Sequence, residues 1–321
     1  MAGVLFALAT APAQAGGSPD AGSGSQPSKA ETKKRRRARG NAPCLAWLDP
    51  DRPVRAALLC VHGLGLHNGT FEPFGEKMKE KGVAVYAIDV RGFGSWMEAR
   101  GRQQVDFDGC LADMKSTIKV IHRVHPGVPV FVLGESMGGA IALRTAAMFP
   151  DLVDGLISSV PAGDRFQQGK TTIKVALHLL EGPHRQFNVG TGVIEQATQN
   201  PELRESWEKD PLARLNLSPA ELIQFQRFMN QNHESAKEIK DIPVLIVQGS
   251  KDRLVKPSGT VELYDELATP DKQLELISNA EHLIFEENQF TDQEIDLVAG
   301  WIDKHLTPRP AAAAAGKAVD R

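Results

Sequence analysis

Cysteine is scarce in this chain, and its scarcity excludes the disulfide-stapled folds. Cys44, Cys60 and Cys110 are the only three among 321 residues, too few and too scattered for a disulfide framework, so free thiols are expected. No Cys/His cluster has the spacing of a metal site, and no metal is expected. A strong charge of one sign is also missing: the formal net charge of -3 gives no indication of a nucleic-acid partner. Nor does any uninterrupted apolar run reach the roughly 18 to 20 residues needed to cross a bilayer. Finally, residues 1–15 are apolar and alanine-rich, yet no Lys or Arg precedes them, while Ala13-Gln14-Ala15 before Gly16 resembles a small-residue cleavage site. Two readings stay open there: a secretory peptide whose basic start is lost through a misplaced first Met, or a disordered alanine-rich tail. Location accordingly stays open between the cytoplasm and export.

What remains has a clear organising stretch. Residues 129–149, PVFVLGESMGGAIALRTAAMF, run from a short apolar segment through Gly134-Glu135-Ser136-Met137-Gly138-Gly139 into an alanine- and leucine-rich helical pattern. Strand, tight turn and helix in that order make a nucleophile elbow, in which Ser136 takes a strained backbone position and the flanking glycines let strand and helix approach. The helix N-terminus behind Ser136 suits a developing oxyanion.

Around this stretch the chain divides by composition. A hydrophobic content of 41% allows one large core plus an insertion, or two modest domains. Residues 1–42 form a low-complexity segment expected to be disordered. Its basic run KKRRRAR, with Lys33 and Arg39 at the ends, reads as a solvated linker rather than a nucleic-acid site, with weak contact to anionic lipid as a second role. The globular part starts near Pro43. Residues 44–48 and 56–61 read as strands and suggest an antiparallel pair across the polar turn 49–53. A helix is expected over 71–81, a buried strand over 83–89, a glycine-rich loop over 91–95 and a helix over 105–125. The elbow strand and a strand over 156–160 follow. This alternation gives an α/β class with a mostly parallel central sheet flanked by helices.

Between residues 161 and 240 the alternation gives way to helical pieces at 173–180, 193–199, 201–209 and 219–230. A helical insertion placed before the sheet resumes reads as a cap over the carboxyl edge. Apolar side chains of 173–180, Leu177 and Leu180 among them, either pack on the core or line an acyl pocket. Strands over 242–248 and 272–278 complete the sheet, an amphipathic helix over 291–305 closes the domain, and 307–321 is expected to be disordered. The core is thus 43–160 with 241–306.

The chemistry collects on one rim. Asp252 follows the 242–248 strand and His282 follows the 272–278 strand, giving the chain order Ser136, Asp252, His282 found in α/β hydrolases. Asp164, after the preceding strand, is a rival carboxylate. An apolar strand running into His62-Gly63-Leu64-Gly65 offers the loop after the fold's third strand, whose N–H serves the oxyanion hole; that N–H is assigned to Leu64, and Met137 supplies the other. His62 is expected to brace this loop, and His67 to be either a surface residue or part of the pocket rim. His122, His125, His178, His184, His233 and His305 are taken as structural residues without partners.

From residue 43 to 305 the chain resembles the cap-bearing α/β hydrolases of the monoacylglycerol lipase and lysophospholipase type, grouped with serine aminopeptidase-like hydrolases. The matching motifs are His62-Gly63-Leu64-Gly65, Gly134-Glu135-Ser136-Met137-Gly138-Gly139, Gln248-Gly249-Ser250-Lys251-Asp252, Ala280-Glu281-His282 and, in the insertion, Asp210-Pro211-Leu212. One departure is Trp96, which stands where the family has a serine after Asp89-Val90-Arg91-Gly92-Phe93-Gly94. The resemblance implies a serine esterase acting on a small-molecule acyl ester, a monoacylglycerol or lysophospholipid-like lipid, with no cofactor. Two alternatives stand beside it. One is an aminopeptidase or amidase on the same triad, for which a cap carboxylate such as Glu181 or Glu195 would hold the substrate amine. The other is a non-catalytic ligand-binding member of the fold.

Overall fold

The computed structural model describes residues 42–100, 104–161, 178 and 182–306. Leu177, Leu180, Asp164, Glu181 and the basic run 33–39 lie outside the described residues. In chain order the elements are β1 (Cys44–Trp47), β2 (Ala56–Val61), a 3-10 turn (Asn68–Phe71), α1 (Glu72–Glu80), β3 (Val83–Ile88), α2 (Ser95–Arg100), α3 (Phe107–Val124), β4 (Val130–Glu135), α4 (Met137–Met148) and β5 (Gly155–Ser159). The insert carries β6 (Phe187–Asn188), α5 (Gly190–Ala197), α6 (Pro201–Lys209), β7 (Asn216–Leu217), α7 (Pro219–Met229) and α8 (Asn232–Glu238). The chain then returns through β8 (Val244–Gly249), α9 (Pro257–Glu266), β9 (Lys272–Ile277) and α10 (Asp292–Lys304).

Seven strands form one sheet in the order β1-β3-β2-β4-β5-β8-β9, and every neighbouring pair is parallel except β1 with β3. The expected antiparallel pair of the first two strands is corrected here: β1 pairs with β3, Cys44 opposite Ile88 and Trp47 opposite Val85. The reason lies in β2, all six of whose residues are buried. A strand covered on both faces is interior to a parallel sheet; β3 and β4 occupy its two edges, leaving β1 the outer edge of β3.

Alternation along the strands divides two cores. Ala57, Leu59 and Val61 face α3 and α4, with Leu111, Met114, Ile118 and Leu143. Leu58 and Cys60 face α1 and α10, with Phe74, Met78, Val298 and Ile302. The closing helix α10 starts at a capping box, in which Thr291 and Glu294 satisfy each other's backbone N–H groups. All three cysteines are buried and unpaired. No helix among the described residues is long and apolar enough to cross a membrane.

Parallel pairing brings the carboxyl ends of the strands level. Val61 lies opposite Gly134, Gly134 opposite Ser158, and Gly249 opposite Ile277. The loops after β2, β4, β8 and β9 therefore open on one rim. These loops carry Leu64, Ser136, Asp252 and His282.

Candidate active site

Ser136 is the N-cap of α4 and has φ 56° and ψ -113°. For a residue with a Cβ this region costs on the order of 1 to 3 kcal/mol, held by the surrounding structure. Two contacts hold it: the Ser136 N–H donates to Ser159 O at 2.9 Å, and the Ala140 N–H to Ser136 O at 3.2 Å. The glycine at 138 is obligatory, because a Cβ there would lie 1.9 Å from Val61 O. Helix α4 is thereby pressed against the end of β2, next to the loop that carries Leu64. Met137 is the first residue of α4, where helix geometry leaves the N–H without an intrahelical acceptor.

Asp252 and His282 are brought together, with Nδ1 of His282 2.8 Å from Oδ2 of Asp252 and both side chains buried. The Leu254 and Val255 N–H groups donate to Oδ1 at 2.8 and 2.9 Å, and Gln248 Nε2 donates to Oδ2 at 3.2 Å. Thr260 Oγ1 in turn donates to Gln248 Oε1 at 2.6 Å, which fixes the amide's orientation. Burial by itself raises the Asp252 carboxyl, but the His282 charge, its hydrogen bond and the two amides outweigh burial and leave it below its ordinary value. Burial likewise lowers His282, and the charge and hydrogen bond of Asp252, with the charge of Glu135, outweigh it and leave the imidazole raised.

His62 braces the loop as expected. Its Nε2 accepts the Val90 N–H at 2.9 Å, so Nδ1 carries the proton and donates to Gly63 O at 2.8 Å. Full burial lowers it to about 3, keeping it neutral. His67 lines neither cavity described below and instead links the core to the insert: Nε2 meets Asp210 Oδ2 at 2.7 Å while Nδ1 accepts the Gly69 N–H at 3.0 Å. The expectation that the remaining histidines lack partners is corrected for five of them. His122 bonds Leu152 O, His125 bonds Tyr86, His178 stacks on Phe187, His233 pairs with Glu266, and His305 bonds Trp301 O. His122, His125 and His233 find partners on neighbouring elements that no local pattern announces, whereas His305 bonds back to its own helix. Trp96 turns inward, Nε1 donating to Asp89 O at 3.1 Å, and lines neither cavity described below.

Above Ser136 and His282 lies a cavity lined from the core by Leu64, Leu66, Leu254 and Leu283 and from the insert by Val193, Ala197, Trp207 and Phe225. A second cavity shares Leu64, Leu66, Val193 and Trp207 with it and extends between α5 and the segment 213–217. The insert also touches the site directly. The His282 N–H donates to Ala197 O at 3.2 Å, Thr198 and Gln199 both bond Glu281, and the Arg214 N–H donates to Gly65 O at 2.8 Å. Sequence reasoning missed Val193, Trp207 and Arg214, because the insert's contacts are tertiary. It also assigned no role to Glu135, although the residue stands inside the elbow motif. Among the described residues no group of three His, Cys, Asp or Glu side chains is placed to hold a metal.

A mostly parallel sheet, an elbow serine and an acid–histidine pair on the strand ends define an α/β hydrolase. Residues 52–289 match the serine aminopeptidase S33 family, and the chain belongs to it. It is 27% identical over 261 residues to the monoacylglycerol lipase of Mycolicibacterium smegmatis, covering 80% of this chain and 91% of that protein. It is 29% identical over 248 residues to the human monoglyceride lipase, covering 76% and 80%. Among solved structures, Paleococcus ferrophilus monoacylglycerol lipase superimposes with a TM-score of 0.68 at 25% identity, covering 82% of this chain and 98% of that one. A soluble variant of the Saccharomyces cerevisiae monoglyceride lipase, in complex with a substrate analogue, shares the fold with a TM-score of 0.72 at 22% identity, covering 82% and 91%.

Proposed function

We propose that this protein hydrolyses the ester bond of single-chain lipids, monoacylglycerols or lysophospholipid-like esters, through Ser136, His282 and Asp252. The protein is a carboxylic ester hydrolase, as its family and its similarity to monoglyceride lipases indicate. The observation that carries the finer reading is that Ser136 and the Asp252-paired His282 open on the same predominantly apolar cavity. His282 Nδ1–H donates to Asp252, which leaves Nε2 to take the Ser136 proton as Oγ attacks the ester carbonyl. The N–H groups of Leu64 and Met137 receive the tetrahedral oxyanion. The imidazolium then protonates the leaving alcohol, and water activated by His282 releases the acyl group. Residues 161–240 serve as the cap that closes this cavity and excludes water from the acyl chain.

An amidase reading calls for a carboxylate facing the substrate amine. Glu195 is exposed on α5, and neither cavity has an Asp or Glu among its described lining residues. The test is a fluorophosphonate probe together with a panel of p-nitrophenyl esters, monoacylglycerols, lysophospholipids and aminoacyl amides. The wild type is expected to label and to turn over the lipid esters fastest, and Ser136→Ala to lose labelling and turnover with an unchanged circular dichroism spectrum. Labelling that persists in Ser136→Ala, or background rates across the panel, overturns the proposal.

A further inference from the structure

Two buried carboxylates lie beneath the catalytic loops and take no part in the steps above. Glu135 ends β4, immediately before Ser136, and Glu286 lies four residues after His282 on the same loop; both have no exposed surface. Their partners differ in kind. Glu135 is surrounded by donors: the N–H groups of Ile284 at 2.8 Å, Phe285 at 3.1 Å and Glu286 at 2.9 Å, and the Ser159 hydroxyl at 2.8 Å. Three successive amides converging on one carboxyl group form an anion nest, and an ionised carboxylate has the lone pairs to fill it.

Glu286 is bound otherwise. Its Oε2 accepts the Gly63 N–H at 2.9 Å, and its Oε1 lies 2.6 Å from Thr70 Oγ1. Thr70 Oγ1 is also 2.7 Å from the carbonyl oxygen of His67. A hydroxyl has one proton to donate and a carbonyl has none, so these two short contacts need a second proton. Only the carboxyl of Glu286 can bring it. Glu286 Oε1–H then donates to Thr70, and Thr70 donates to His67 O.

Burial drives the Glu286 carboxyl well above its ordinary value, and the negative charge of Glu135 acts in the same direction. Burial raises Glu135 too, and its four donors offset burial only in part, leaving it above its ordinary value but with far more donor support than Glu286. The other titratable groups facing the pair are the His282 imidazole, the Glu287 carboxyl and the buried Cys60 thiol.

We infer that Glu135 and Glu286 are paired positioning residues of opposite protonation, ionised Glu135 seating the loop that carries His282 and neutral Glu286 seating the Gly63–Leu64 loop. The elbow, the histidine loop and the Leu64 loop are thereby fixed to one buried point. Seating is close: a Cβ added at Gly63 would lie 3.1 Å from Glu286 Oε2.

The test exploits that opposition, and only its kinetic arm rests on the esterase reading. Gln at 286 reproduces a neutral acid, its oxygen accepting from Gly63 and its nitrogen donating to Thr70, whereas Gln at 135 turns a donor toward backbone N–H groups. Infrared spectra at neutral pH are expected to show the carbonyl band of a buried neutral carboxyl in the wild type, lost in Glu286→Gln and kept in Glu135→Gln. With a monoacylglycerol, Glu135→Gln and Glu286→Leu are each expected to lower kcat on the order of 10- to 100-fold with KM little changed, the loss of one or two charge-assisted or buried hydrogen bonds. Glu286→Gln is expected to restore most of the loss seen in Glu286→Leu. A band that survives in Glu286→Gln, a wild type without one, or a Glu286→Gln protein that does not fold overturns the inference. So does tolerance of Glu135→Gln. If no ester is turned over at all, the esterase reading fails while the infrared arm still locates the proton.

Discussion

Asp252 and His282 each hold the other's charged form against burial, which by itself would disfavour both. The raised imidazole sets a direction for activity, since a general base must be neutral. The acid limb of kcat/KM is expected above the ordinary histidine value of 6.5 and should move down in Asp252→Asn, as pH–rate profiles of the two proteins will show. In the same variant kcat should fall by on the order of 10⁴, the loss seen when an orienting Asp becomes Asn and the wrong tautomer is held. Asp164→Asn, the rival change, is expected to keep near-normal activity; the reverse pattern would transfer the orienting role. The pair also sets a sign for stability. The raised His282 stabilises the fold fully below 6.5 and loses that contribution as pH rises through its folded value, whereas the depressed Asp252 loses its contribution as pH falls into the carboxylate range. The meeting of Ser136, Asp252 and His282 on one rim was legible because each follows a strand within a recognisable local motif. Glu135 and Glu286 were not, since a carboxyl group reveals its charge only through partners, and the three backbone donors of Glu135 lie about 150 residues away in sequence.

Elements were legible in proportion to how far local sequence decides them. Helix α6 begins and ends where Pro201 and Lys209 place it, and α10 differs from expectation only by its caps, because Asn200 and Thr291 announce the starts chemically. The place of β1 was not legible, since pairing partners are settled by which strands need covering on both faces. Helix α8, NHESAKE, has almost no apolar pattern and is fixed by packing on α4 and α9 instead. The link from α7 to the core is likewise tertiary. Glu221 completes the Ser218 capping box, accepts the Val105 N–H at 3.2 Å and pairs with Arg214 at 2.8 Å, while Arg214 also donates to Gly92 O at 3.0 Å. Both side chains are buried, so removing one leaves the other charge unpaired. Arg214→Met is expected to cost about 3 to 5 kcal/mol in urea unfolding, and Arg214→Met with Glu221→Gln to recover part of it. A change confined to a few tenths, as for an exposed pair, would mean that the insert docks without this link.

At the scale of the molecule, the insert and the sheet edge enclose the space above Ser136 between them, and neither surface forms the cavity alone. Leu64, Leu66 and Leu254 come from core loops, while Val193 and Trp207 come from the insert, and the second cavity continues the same apolar lining past them. An acyl chain seated there leaves water on both sides at once. Each methylene buried contributes about 0.8 kcal/mol, or roughly fourfold in affinity per carbon. The expected outcome is a kcat/KM that climbs by about that factor per carbon from short to medium acyl chains and levels off once the enclosed space is filled. Val193 borders both cavities, so a carboxylate at this position would have to be desolvated by any chain passing it. Val193→Asp should therefore flatten the climb for medium chains while leaving a two-carbon ester nearly unaffected, since a short acyl group need not reach past α5. The measurement is kcat/KM across a homologous p-nitrophenyl ester series for both proteins. A slope that is the same in the variant would place the acyl chain outside this space, and a uniform loss across all lengths would mean that Val193 supports the position of α5, whose last residue Ala197 accepts the His282 N–H, rather than the chain itself.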